Sequence, residues 1–113
     1  MSLTKDLTRL KELDPVIYYN YESWQLTLTE ELNLSLYDDR IVNEMVLQHC
    51  LQDAIAARGW PVIISFDCNP DNPLIWEVEI CSGEVNDLLG SAKADTPASA
   101  LLSAYVAALE ALP

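Results

Sequence analysis

Leu3, Leu7, Leu10 and Leu13 recur at spacings of four, three and three. That spacing sets them on one stripe of a short helix over residues 3–13, with Lys5, Arg9 and Glu12 on other faces. Asp14-Pro15 stops this helix, because a residue that precedes proline avoids the helical region. The pattern then changes. Trp24, Leu26 and Leu28 alternate with Gln25, Thr27 and Thr29, and Leu32, Leu34 and Leu36 alternate with Asn33 and Ser35. Alternation of period two predicts strand. Glu30-Glu31 between the two runs is poor turn chemistry, so the segment 16–36 reads as one strand plus a loop rather than a hairpin.

Residues 39–58 carry the strongest helical pattern. Val42, Val46, Leu47, Cys50, Leu51, Ala54 and Ile55 form a broad apolar stripe. Asp38 and Asp39 stand where carboxylates satisfy the first free amides, and Gly59 suits the helix end. His49 falls at the margin of the stripe, as a boundary residue.

Two runs of alternation follow. Val62, Ile64, Phe66 and Cys68 share one face, and Leu74, Trp76, Val78 and Ile80 share another. The turn residues Asn69-Pro70-Asp71-Asn72-Pro73 between them predict a hairpin of strands 60–68 and 74–81. Pairing Cys68 with Leu74 sets Phe66 against Trp76, Ile64 against Val78 and Val62 against Ile80. All the large apolar residues then share a face, and a one-residue slip would scramble them. Cys81 falls opposite Pro61, far from Cys68. A short third strand is expected near 89–94. A helix over 97–112 is expected to start at Thr96 (cap) and Pro97 (first turn). Its stripe is Ala98, Leu101, Leu102, Tyr105, Leu109 and Leu112.

These elements predict a single α+β domain spanning 1–113. A small antiparallel sheet packs on helices 39–58 and 97–112. Residues 1–37 form an N-terminal extension packed on the 38–112 core. The expected core is Val62, Ile64, Phe66, Trp76, Val78 and Ile80, faced by Leu47, Leu51, Leu101 and Tyr105.

Charge sharpens this picture. The 113 residues hold 18 acids and 6 Lys+Arg, a net charge of −12. Residues 14–92 contain 14 of the acids against only Arg40 and Arg58, so the whole imbalance is central. Such a surface repels nucleic acid and anionic lipid and attracts basic proteins. No apolar run approaches the roughly 20 residues that span a bilayer, and no long apolar leader opens the sequence. A cytoplasmic protein is expected.

Catalytic and cofactor chemistry find little purchase. Cys50, Cys68 and Cys81 are odd in number, with no CxxC, and read as free thiols. With one histidine they do not make a zinc pattern. Cys50 follows His49, but adjacent helical residues do not face each other. Glu30/Glu31, Asp38/Asp39 and Glu77/Glu79 are paired carboxylates, yet nothing beside them completes a metal or acid–base site. Three glycines give no phosphate loop. The expectation is no enzyme, no metal and no cofactor.

The order from Asp38 to Leu112 permits a comparison. Arg-Gly-Trp-Pro-Val-Ile-Ile (58–64) enters the first strand, Trp76-Glu77-Val78 lies in the second, and Ala94-Asp95-Thr96-Pro97-Ala98 precedes an alanine-rich helix. This resembles the small phage and prophage proteins that carry the phage ABA sandwich domain. The resemblance covers the last two-thirds of the chain and implies a phage-type cytoplasmic protein, with no catalytic residues to carry over. A sandwich implies that both sheet faces are covered.

The second sheet face is the candidate site. Ile63, Asp67, Ile75, Glu77 and Glu79 project from it, and two apolar residues among acids suit a contact patch. Either residues 16–36, with Tyr21 and Trp24, fold over Ile63 and Ile75, or this face meets a partner. The functional expectation is an acidic phage-type accessory protein acting by protein–protein interaction. Its partner would be a protein with a basic surface or a second copy, not nucleic acid or membrane. The alternative is a nucleic-acid-mimicking inhibitor of a host defence or nucleic-acid-binding protein.

Overall fold

The computed structural model describes residues 3–32, 39–67, 75–83 and 87–112, with residues 3–4, 25–32, 39–43 and 67 described by backbone alone. Four helices and a three-stranded antiparallel sheet make an α+β fold. The order is α1 (Leu3–Leu13), α2 (Pro15–Leu32), α3 (Asp39–Ala57), β1 (Val62–Asp67), β2 (Ile75–Cys81), β3 (Leu88–Ala94) and α4 (Pro97–Glu110).

The segment expected to be strand and loop is helical as far as Leu32. The reason lies at Asp14. Its Oδ1 accepts from the Ile17 amide at 3.4 Å, and Pro15 fills the first helical position. The dipeptide that ends α1 therefore also starts α2. Trp24, Leu28 and Leu32, read as members of alternating runs, are equally spaced by four. Residues 33–36 lie outside the described residues.

The hairpin register is as expected, with Val62 opposite Ile80, Ile64 opposite Val78 and Phe66 opposite Trp76. The Cys81 amide donates to the Pro61 carbonyl at 3.0 Å, which extends the same register. The proposed Cys68–Leu74 pair lies outside the described residues. β3 joins β2, giving the order β1-β2-β3, with a bulge between Ile80 and Cys81.

α4 is the centre of the molecule. Thr96 caps it by accepting from the Ser99 amide at 3.2 Å, and Pro97 opens it. Ten of its residues are buried, including Ala98, Leu101, Leu102, Ser103, Ala104, Tyr105 and Val106. A helix buried on every side must lie between layers. It packs on β2 and β3 on one side and on α1 and α3 on the other. Gly90 makes the sheet contact close, because a Cβ there would strike the Ala104 carbonyl oxygen and the Ala108 amide nitrogen.

The expected core needs one correction and some grading. Val78, Ile80, Leu47, Leu51, Leu101 and Tyr105 are fully buried. Val62, Ile64 and Trp76 are only partly buried. Phe66 is 40 % exposed, because α4 packs against β2 and β3 and leaves β1 overhanging. Its ring lies against Trp76 instead, with centroids 4.6 Å apart. α1 is integral to the core: Leu10 is fully buried in it.

Candidate interaction face

The sheet face turned away from α4 is built by alternation. Because side chains alternate along a strand, Ile63 and Ser65 of β1 share it with Ile75, Glu77 and Glu79 of β2. The ladder sorts them into rows. Asp67 pairs with Ile75. Ser65, Glu77 and Lys93 form a second row, and Ile63, Glu79 and Ser91 a third.

The structure thus brings Ile63, Ile75, Glu77 and Glu79 together on one face, while Asp67 is placed by its backbone pairing with Ile75 alone. Ile63 is 54 % exposed, and Ile75, Glu77 and Glu79 are half-buried. α2 does not lie over them. It packs on α1 and α3, its Tyr21 is buried in the helical core, and its Trp24 meets His49 edge-on at 6.1 Å. The expectation that Tyr21 and Trp24 fold over Ile63 and Ile75 is therefore not met by the described residues. Among the described residues the helices pack on the opposite face of the sheet, through α4.

β3 adds residues that the sequence reading did not place here. Lys93 Nζ lies 3.3 Å from Glu77 Oε2. Both side chains reach solvent, so the pair contributes at most about 1 kcal/mol. The signal was present in the alternation of Ser91 and Lys93 with Gly90, Ala92 and Ala94. Among the described side chains the face carries two carboxylates, one ammonium and two isoleucines. It can bind by shape, apolar contact and charge.

Concave regions lie elsewhere among the described residues. One cavity of about 460 Å³ is lined by Arg58, Gly59, Trp60, Ser82 and Gly83. Gly59 is in the left-handed conformation at φ 73°, and a Cβ on Gly83 would strike its carbonyl oxygen. The Arg58 guanidinium turns inward. Its Nε donates to Tyr105 Oη at 3.1 Å, its NH2 lies 3.6 Å from Asp14 Oδ2, and it stacks over Trp60 at 5.0 Å. Burial, reinforced by the hydrogen bond to Asp14, pushes the Tyr105 phenol up to about 12. Arg58 is thus committed to the fold. The other, a groove of about 570 Å³ between α1 and α4, is lined by Lys5, Asp6, Arg9, Glu12, Ser103 and Glu110. Arg9 there is paired with both Glu12 and Glu110, at 2.8 and 2.7 Å. Ser103 Oγ donates to Asp6 at 2.6 Å.

His49 is exposed and lies 3.3 Å from Asp53. Cys50 is buried and free, Cys81 is half-buried and free, and Cys68 lies outside the described residues. Among the described residues no three His, Cys, Asp or Glu side chains converge as metal ligands, and no helix is long and apolar enough to cross a membrane. No protein-family model, curated protein or solved structure matches the chain.

Proposed function

We propose that this chain is an acidic accessory protein that acts by docking on a protein with a basic surface, in the cytoplasm and without catalysis. The observation that carries the reading is the open sheet face, where Ile63 stands 54 % exposed opposite Glu79 and one row from Glu77. Apolar area supplies affinity in such a patch, and charge supplies steering and selectivity. The net charge of −12 favours a basic partner over nucleic acid or anionic lipid.

A phage or prophage origin belongs to the same proposal. It is supported by the resemblance of residues 58–64, 76–78 and 94–98 to the phage ABA sandwich proteins. Nucleic-acid mimicry is the weaker reading. A mimic needs carboxylates in continuous rows, whereas Lys93, Ile63 and Ile75 interrupt the acids on this face.

The test is capture of basic proteins from lysate on the immobilised chain at low and high salt, compared with the Glu77→Lys, Glu79→Lys double variant and with Ile63→Asp. Support requires a bound species that high salt releases and that both variants fail to hold while their circular dichroism stays native. Capture that neither salt nor the variants change would overturn the reading.

A further inference from the structure

The two edges of the sheet differ. β3 is guarded: Gly90 and Lys93 interrupt it, a bulge distorts its ladder with β2, and α4 packs against it. Such features keep an edge from recruiting another strand. β1 has none of them. Its sequence, Val-Ile-Ile-Ser-Phe-Asp, contains no proline, glycine or lysine and one charge at its end. Among the described residues no strand pairs with its outer side.

The direction of its free backbone groups follows from the ladder. Pro61 faces β2, since its carbonyl accepts from the Cys81 amide. Antiparallel pairing alternates, so Ile63, Ser65 and Asp67 also face β2. The amides and carbonyls of Val62, Ile64 and Phe66 therefore point outward. Their side chains lie on the overhang that α4 leaves incompletely covered, with Phe66 the most exposed.

We propose that β1 pairs antiparallel with β1 of a second copy, about a two-fold axis at Ile64, to make a continuous six-stranded sheet. In this register Ile64 meets Ile64 of the partner copy, and each Val62 meets the other Phe66. These are the residues whose backbone groups point outward, and together they form about six new hydrogen bonds. Each exposed Phe66 ring gains the partner's half-buried Val62 as cover. The strand is also self-complementary in charge. Its one acid, Asp67, falls opposite Pro61 of the partner copy, and the two Asp67 positions stand about 20 Å apart along the strands. That is more than twice the Debye length of about 8 Å. The β2 strands of the two copies, with Glu77 and Glu79, lie about 14 Å apart. The pairing brings the two acidic faces onto one surface without setting like charges against each other.

Self-pairing and docking on a basic partner respond oppositely to salt. Two copies of net charge −12 repel at long range, so the dimer strengthens as salt rises, whereas charge-led docking weakens. The experiment is sedimentation equilibrium of the full chain up to about 1 mM, at low and high salt. It is paired with amide hydrogen exchange at low and high protein concentration. The expected result is a concentration-dependent dimer, tighter at high salt. Exchange at Val62, Ile64 and Phe66 should slow as the dimer forms, while Ile63, Ser65 and Asp67, already bonded to β2, should be unaffected. Ile64→Pro, which removes an outward amide, and Phe66→Lys should each weaken the dimer at least about tenfold. A monomer throughout the range overturns the proposal. So does a dimer whose protection falls elsewhere, or one that the two variants leave intact. The exchange measurement uses the unaltered chain and decides the matter even where a variant misfolds.

Discussion

The hydroxyl of Tyr105, on α4, donates to Asp14 Oδ2 at 2.8 Å across ninety-one residues of sequence. The same carboxylate starts α2 and meets Arg58. One acid thus joins the α1–α2 junction, the end of α3 and the middle of α4. Because Tyr105 is fully buried, its hydroxyl has no water to replace these partners. Tyr105→Phe should lower stability by about 1–3 kcal/mol at neutral pH, read from urea denaturation.

The same contact sets an alkaline limit. Burial first, and then the bond to Asp14, raise the phenol from its ordinary value near 10 to about 12. The fold therefore favours the neutral phenol. Its contribution is fully present below about pH 10 and is lost as the pH rises towards 12, a change of about 2–3 kcal/mol. Tyr21 and Cys50 are shifted upward as well, so the difference between wild type and Tyr105→Phe isolates the effect. The urea midpoint of the variant should fall less between pH 9 and pH 11.

Gly90 governs the contact between sheet and helix. A methyl group there meets backbone atoms of Ala104 and Ala108, which cannot rotate away. Gly90→Ala should therefore destabilise by at least about 1–3 kcal/mol, as overpacking does, despite the better strand propensity of alanine. A melting temperature equal to wild type would show that β3 and α4 are further apart.

The sheet's core face should show a gradient. Ile80 is fully buried under α4 and Phe66 is not. Ile80→Ala should cost about 2–5 kcal/mol, and Phe66→Ala less than about 1.5 kcal/mol. Equal costs would mean that the β1 overhang is covered in solution.

The thiols should separate by reactivity. Burial, aided by nearby Asp53, pushes the Cys50 thiol up, and a protonated, buried thiol is a poor nucleophile. In a Cys68→Ser background the native protein should react with Ellman's reagent faster at half-buried Cys81 than at Cys50. In denaturant the two rates should converge.

Much of this fold was legible in the residues. The hairpin register followed from large apolar side chains that share a face only in one alignment. The start of α4 followed from Thr96-Pro97. The same signature at Asp14-Pro15 predicts a stop to α1 and leaves the alternation after it to suggest strand where α2 forms. A cap-proline pair ends one helix and starts the next with equal ease, and local chemistry does not say which until partners such as Ile17 and Tyr105 are in place. The exposure of Phe66 was not legible either. Alternation assigns a side chain to a face, but how far a helix extends over that face depends on tertiary packing. The candidate face was readable from β1 and β2, and its Lys93 was missed because the β3 register had not been derived.

The central position of α4 also governs the order of events during synthesis. α1, α3, β2 and β3 all rest on a helix that leaves the ribosome after them. Until residues 97–110 emerge, Leu10, Leu47, Leu51, Val78 and Ile80 lack the helix that joins them in one core. Folding is thus expected to wait for α4, in one concerted closure. A premature stop ahead of Pro97 should give a chaperone client rather than a smaller domain.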